Sequence, residues 1–379
     1  MTVTGFEQHF GSPAQGESSA PGRVNLIGEF TDYNEGWVLP CALEFRCRAH
    51  WRRRPDNKIV VVSQEYPGER DEFDGNAPYQ QGSLPWANYV RAVVAASQTT
   101  GYPIGGIDLL LHSDVPQGRG LSSSAALEVA VLGALASAFD WPLETTEIAR
   151  LGQLAENQFI GCQCGIMDQL VSAAAEPGSA LLLDCQSLET TAIGIPEQWT
   201  LVVLDSNHPR QLVDSEYNDR RRDCELACRI IGVNSLRAAT PVQLEAYRSE
   251  MTTSQYLRAK HVIEENQRVQ ASAEALANGR LTDLAQLLGE GHRSLADQFE
   301  VTVAPTDALV AIAKAALGDR VAARQTGGGF GGAVICLCHH DDVETLVTAV
   351  HQEYGARTGL EATVFSSRAG AGLELVSYD

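Results

Sequence analysis

The stretch PQGRGLSSSAALEVA, residues 116–130, sets two glycines and three serines directly before an apolar helical run that extends to Phe139. Glycine lets the backbone approach an anion closely, the first N–H groups of a helix are unpaired, and the helix dipole favours negative charge there. Serine hydroxyls can add donors or hold Mg²⁺, so the stretch can form a phosphate cradle. A serine N-cap with small residues easing helix packing is the commoner explanation of a lone S-S-S-A. The stretch is not the G-x-x-x-x-G-K-[ST] loop, because no lysine follows the second glycine.

A second glycine run, RQTGGGFGGAVICL, leads directly into an apolar strand pattern. A flexible linker would not meet a buried strand so soon, which favours a tight functional turn. Around these two runs the chain is organised in blocks. Strand-like WVLPCAL, KIVVVSQ and GIDLLLHSDV precede the long helix, and a second helix is expected over LETTEIARLGQLAENQFIG after Trp141 and Pro142. ALLLDC and WTLVVLDS are apolar strand patterns, and QSLETTAIGIPEQ between them is expected to be a hinge. Helical patterns continue over DSEYNDRRRDCELACRII, YLRAKHVIEENQRVQASAEALA and LTDLAQLLGEGHRSLADQF. VAARQTG, AVICLC, DDVETLVTAVHQEYG and EATVFSS complete the chain as strand, strand, helix and strand.

Strands and helices in blocks predict an α+β class rather than a doubly wound sheet. At 379 residues two domains are expected, divided at the hinge into 1–195 and 196–379. Neither an internal repeat nor a low-complexity tract is evident.

The 28 basic and 48 acidic residues give a net charge of −20, which disfavours nucleic acid and anionic membranes as partners. Arg220, Arg221 and Arg222 are therefore expected to pair with nearby acids. The start MTVTGFEQHF lacks a basic, then apolar, leader pattern, and the expected location is the cytoplasm. Nine cysteines spread over a long chain suggest reduced thiols. CQC at Cys162 and Cys164 and CLCHH at Cys336 to His340 lack the C-x-x-C spacing of common zinc sites, so buried strand residues are the favoured reading of the second.

PGRVNLIGEFTDYNEG, PQGRGLSSSAALEVA and TGGGFGG together resemble the three motifs of the GHMP kinases, and the first is similar to the galactokinase signature. The similarity continues through AENQFIGCQCGIMDQL, DSEYNDRRRDCELA and RAKHVIEENQRV, nearly the whole chain. This resemblance implies a two-domain GHMP kinase fold with the active site in the inter-domain cleft. It also implies a reaction, transfer of the γ-phosphoryl of MgATP to the anomeric hydroxyl of α-D-galactose. By the same resemblance Arg23 and Asp168 would be catalytic, and Glu29, Phe30, Asp32, Gly165 and Tyr217 would bind the sugar. Gly118, Gly120, Leu121, Ser122, Ser123, Ser124, Ala125, Gly328 and Gly329 would bind ATP, with Mg²⁺ on Glu156 and Ser123 or Ser124. Taken singly, Glu156 reads as a solvated helix carboxylate, Asp32 as a turn former and Tyr217 as a half-buried helix residue.

The galactokinase pattern has histidine at position 30, in GEHTDY, near the sugar C6 hydroxyl, whereas this chain has Phe30. A phenyl ring forms no conventional hydrogen bond, so weaker discrimination at C6 is one expectation; simple filling of the histidine's volume is the other. A smaller departure is APTD after EVTV, where the family has a PELD-like run. The competing activities are a kinase for a C6-altered sugar such as L-arabinose or 6-deoxygalactose, and a galactose and ATP sensor without turnover. The intact serine loop, Arg23 and Asp168 favour catalysis. A monomer is the favoured assembly.

Overall fold

Three sheets organise the chain in the computed structural model, which describes residues 4–208 and 213–378. In chain order, α1 (Thr4–Phe10) precedes β1 (Gly16–Asn25), β2 (Trp37–Val38), β3 (Pro40–Arg54), β4 (Lys58–Ser63) and β5 (Arg70–Asp74). Next come α2 (Ala87–Thr99), β6 (Gly106–Ser113), α3 (Ser123–Phe139), α4 (Thr145–Ala155), α5 (Met167–Ala174), β7 (Ser179–Asp184), β8 (Thr190–Gly194) and β9 (Trp199–Asp205). A helical block comes after them: α6 (Val213–Ile231), α7 (Pro241–Ala246), α8 (Thr253–Ala277), α9 (Leu281–Ser294) and α10 (Ala304–Leu317). The chain closes with β10 (Val321–Thr326), β11 (Ala333–His339), α11 (Val343–Thr358), β12 (Thr363–Ser367) and β13 (Glu374–Ser377).

The first sheet has the order β13–β1–β3–β6–β4–β5, with β4 and β6 parallel and its other pairs antiparallel. The second is β10–β11–β9–β12 and the third β2–β7–β8, both antiparallel. One mixed sheet, two antiparallel sheets and segregated helices make this an α+β protein. The segment expected to be a hinge contains β8, which pairs along β7. Thr190 and Thr191 are β-branched, so the stretch can extend a sheet despite its polar face.

α3 is apolar all round, and its side chains pack on β1 and β3 on one side and on α4 and α5 on the other. Even Glu128 within it is fully buried. A helix without a polar face belongs in an interior. Its burial fixes where its first turn points, and that turn carries the serines. β1 carries a bulge between Pro21 and Arg23, and Gly22 there lies so close to the serine loop that a Cβ would come 2.7 Å from the Leu121 carbonyl oxygen. The Arg23 N–H donates to that same carbonyl at 3.0 Å. Strand and loop are thereby locked together where the site forms. No helix among the described residues is long and apolar enough to cross a membrane.

Candidate active site

Arg23 and Asp168, 145 residues apart in sequence, meet through two parallel hydrogen bonds, Nε to Oδ1 at 2.7 Å and Nη2 to Oδ2 at 2.6 Å. The third guanidinium nitrogen donates to the Gly120 carbonyl at 2.7 Å. Asp168 sits in the first turn of α5, where an acid is favoured, and it also accepts from the Ser122 hydroxyl at 2.6 Å. Ser122 makes no side-chain cap on α3 and adopts a left-handed backbone with φ 56°. Its hydroxyl belongs to the site rather than to the helix, which disposes of the simple N-cap explanation. The N–H groups that open α3 are left for a ligand.

These groups floor a cleft of about 610 Å³. Its walls include Glu29, Phe30, Asp32, Gly118, Gly120, Leu121, Ser123, Ser124, Glu156, Gly165, Tyr217 and Gly328. Two of the expected ligand residues are not on the wall. Ala125 is fully buried along α3, and Gly329 is turned toward Val301, whose carbonyl a Cβ there would approach to 2.6 Å. Gly327, which is not among the residues expected to bind ATP, stands in the wall with φ +78°, 3.0 Å from the Gly120 carbonyl measured from an ideal Cβ. The second glycine run thus closes against the first.

Negative charge is concentrated here. Burial, and then the neighbouring Asp168, push the Asp32 carboxyl up to about 6. Burial and Asp168 likewise push Glu156 up to about 7. A Cβ on Gly165 would overlap the Asp32 carboxylate, so glycine is required for that side chain to reach the cleft. Glu29 is 2% exposed and in ionic contact with the fully buried Arg324. Tyr217 is half-buried beside Tyr33 and Phe30, its hydroxyl proton held tightly by burial.

Glu156 faces the Ser124 hydroxyl at 3.4 Å and accepts from Gln169 at 2.9 Å, while Gln169 also donates to Glu128 at 3.0 Å. Glu128 Oε1 has no hydrogen-bond partner among the described residues. Buried oxygens with surplus negative charge and a nearby hydroxyl are the donor set of a hard divalent cation, so this corner fits Mg²⁺.

Phe30 is mostly a core residue. It is 4% exposed, stacks on Phe299 at 4.3 Å between ring centroids, and meets Tyr217 at 5.7 Å, although its backbone φ is 68°. Its remaining surface faces the cleft.

A neighbouring hollow of about 290 Å³ shares Tyr89, Gly118, Ser123 and Ser124 with the cleft. Its far wall holds Tyr66 and Trp86, whose rings stack at 5.6 Å with an interplanar angle of 3°. Nothing in the spacing of these two residues marks them, because they lie in different loops joined only by the fold.

The other expectations divide. Arg222 and Arg221 pair with Asp219 and Glu225, but Arg220 donates to the carbonyls of Phe299 and Glu300 and lies 5.5 Å from the Phe330 ring. Cys336 and Cys338 are buried in β11, where burial pushes the Cys338 thiol up to about 11.

The fold and the arrangement of the three motifs define a GHMP kinase. Residues 88–176 match the model of the GHMP kinase N-terminal domain, 272–356 that of the C-terminal domain, and 4–53 the galactokinase galactose-binding signature. Galactokinase from Lactococcus lactis, solved in complex with galactose, is 33% identical with a TM-score of 0.92, over 98% of each chain. Mevalonate kinase from Methanococcus jannaschii is 16% identical with a TM-score of 0.63, covering 93% of this chain and 98% of that one. A D-glycero-D-manno-heptose 1-phosphate kinase from Bacteriodes thetaiotaomicron is 15% identical with a TM-score of 0.63, covering 96% and 99%. The last two share the fold. The chain belongs to the galactokinase family.

Proposed function

We propose that the protein transfers the γ-phosphoryl group of MgATP to the anomeric O1 hydroxyl of α-D-galactose, forming galactose 1-phosphate and ADP. The observation that carries this reading is the Arg23–Asp168 pair, joined to both Ser122 and Gly120 of the loop that opens α3. In this reading O1 sits at Asp168, which takes its proton as the oxygen attacks the γ-phosphorus and the β–γ bridging oxygen leaves with ADP. Arg23 keeps Asp168 ionised and balances charge at the transferring group. Positioning and charge balance are the main demands of phosphoryl transfer.

Gly118, Gly120, Leu121, Ser122, Ser123, Ser124, Ala125, Gly328 and Gly329 are assigned to the phosphates. Ala125 and Gly329 could act only through their backbones. The flat Tyr66–Trp86 pair beside the cleft suits the adenine ring. Mg²⁺ is assigned to Glu156 with Ser123 or Ser124, where it would neutralise phosphate charge. Glu29, Asp32, Gly165 and Tyr217 are assigned to the sugar, since a carboxylate can accept from two hydroxyls.

A second reading is favoured by Phe30, which offers an apolar ring where the family has histidine. The preferred sugar would then lack a polar group at C6. Release of ADP across galactose, 6-deoxygalactose, L-arabinose, galacturonate and N-acetylgalactosamine separates the two. Tight sugar binding with no ADP from any of them would contradict both and favour a sensor.

A further inference from the structure

Glu29 is held from three sides by elements that do not themselves line the cleft. Its own carbonyl accepts from His261 Nε2 on α8 at 3.2 Å, and His261 Nδ1 lies 2.7 Å from the Ser294 hydroxyl. Burial keeps that imidazole neutral, at about 4, consistent with one ring nitrogen donating and the other accepting. The N–H of the preceding residue, Gly28, donates to Glu265 Oε1 at 3.1 Å. Glu29 thus stands between two left-handed residues, Gly28 at φ 104° and Phe30 at φ 68°, with its main chain pinned to α8 on both sides.

The side chain is held by Arg324 of β10, which is fully buried and divided between two acids. Its Nη1 donates to Glu265 at 2.8 Å, while Nη2 contacts Glu29 without hydrogen-bond alignment. Glu265 has a second cation, since Arg268 Nε donates to its other oxygen at 2.6 Å. Gly291 on α9 leaves room for this fork, because a Cβ there would lie 2.5 Å from Arg324 Nη1. Two carboxylates therefore compete for one guanidinium, and Glu265 has the better share. Neither carboxyl oxygen of Glu29 has a hydrogen-bond partner among the described residues, although the residue faces the cleft.

We propose that Arg324 is a positioning residue for sugar recognition: it grips Glu29 at the cleft wall while Glu265 holds its other end, so that the charge Glu29 presents to a hydroxyl is set from α8 and β10. The inference rests on the assignment of Glu29 to the sugar.

The groups facing Glu29 account for the direction. Burial dominates and pushes its carboxyl up to about 7; Arg324 lowers it, Glu265 raises it, and Arg23 on β1 lowers it further. Removing the charge of Glu265 frees Arg324 for Glu29 and must ease ionisation. Removing Arg324 must hinder it. A residue of purely structural importance would not shift the two variants in opposite directions.

The test is a ¹³C NMR titration of the labelled glutamate carboxyls in the full-length protein without sugar, with the Glu29 signal assigned by Glu29→Gln. The expected midpoint is about 7, and a midpoint near the ordinary value of about 4.3 overturns the proposal. This measurement needs neither network variant to fold. Galactose binding is then measured from pH 5 to 9 in the natural protein, Glu265→Gln and Arg324→Gln. The loss of affinity on acidification, about tenfold one unit below the midpoint if only the ionised form binds, should move to lower pH in Glu265→Gln and to higher pH in Arg324→Gln. Its effect should fall on KM for the sugar rather than on kcat. Unmoved profiles in folded variants contradict the proposal. Absence of galactose binding by the natural protein would instead overturn the functional reading, and the titration would still judge the network.

Discussion

Arg23 occupies all three of its guanidinium nitrogens at one point, two on Asp168 and one on the Gly120 carbonyl, and so ties a strand, a helix start and the serine loop together. Lysine carries the charge but not the fork. Arg23→Lys should therefore lower kcat by about a hundredfold or more, the usual scale for losing one oriented charge-stabilising donor. Steady-state kinetics with saturating galactose and MgATP check this. A change confined to KM would contradict the role.

Gly165 gives way to the Asp32 carboxylate. Gly165→Ala should displace that carboxylate and raise KM for the sugar by about tenfold, roughly the cost of one charged hydrogen bond. KM for ATP should stay within about twofold. Equal effects on both substrates would mean that Asp32 does not face the sugar.

Gly327 has φ +78° and faces the Gly120 carbonyl. An alanine there meets both a left-handed backbone, worth about 1–2 kcal/mol, and a tight neighbour. Gly327→Ala should raise KM for MgATP and lower Tm by a few degrees, leaving the sugar KM little changed. Isothermal titration with each substrate separates these effects.

The raised carboxyls fix the pH dependence. Asp32 at about 6 and Glu29 at about 7 are ionised only above those values, so the hydroxyl-accepting forms assigned to the sugar are lost as pH falls through that window. The acid limb of kcat/KM, which reports the free enzyme, should lie between about 6 and 7 rather than near the ordinary carboxylate range of about 4. A pH–rate profile measured at saturating Mg²⁺ for one substrate at a time decides it.

Phe30 packs on Phe299 yet keeps one edge toward the cleft. If that edge faces the sugar C6 substituent, Phe30→His should raise the kcat/KM preference for galactose over L-arabinose or 6-deoxygalactose by about two- to tenfold, the worth of one net hydrogen bond. An unchanged ratio means that Phe30 only fills volume.

Periodicity in the sequence is enough to find α3, α8, α9, α11 and the apolar strands, because each carries a long uniform pattern. It misses β1, whose GESSAPGRVN is broken by proline and glycine and looks like a loop, although β3 pairs along most of its length. It also misses β8 and α10. The phosphate loop is legible from its glycines and serines, but the Arg23–Asp168 pair only through the motif resemblance, since no local pattern links Arg23 to a carboxylate 145 residues away. Arg324 and Glu265 stay hidden for a different reason. One stands in a strand pattern and the other in a charge-rich helix, so each resembles a surface residue until the fold buries both completely. Tyr66 and Trp86 meet only because α2 and the loop after β4 converge on one hollow.

The most direct measurement is ³¹P NMR of the product formed from α-D-galactose and MgATP. The predicted result is one new phosphate monoester signal, coupled to the anomeric proton, appearing in step with ADP and abolished in Asp168→Asn. A phosphate on any other carbon, or ATP left intact while galactose is bound, would contradict anomeric transfer at Asp168.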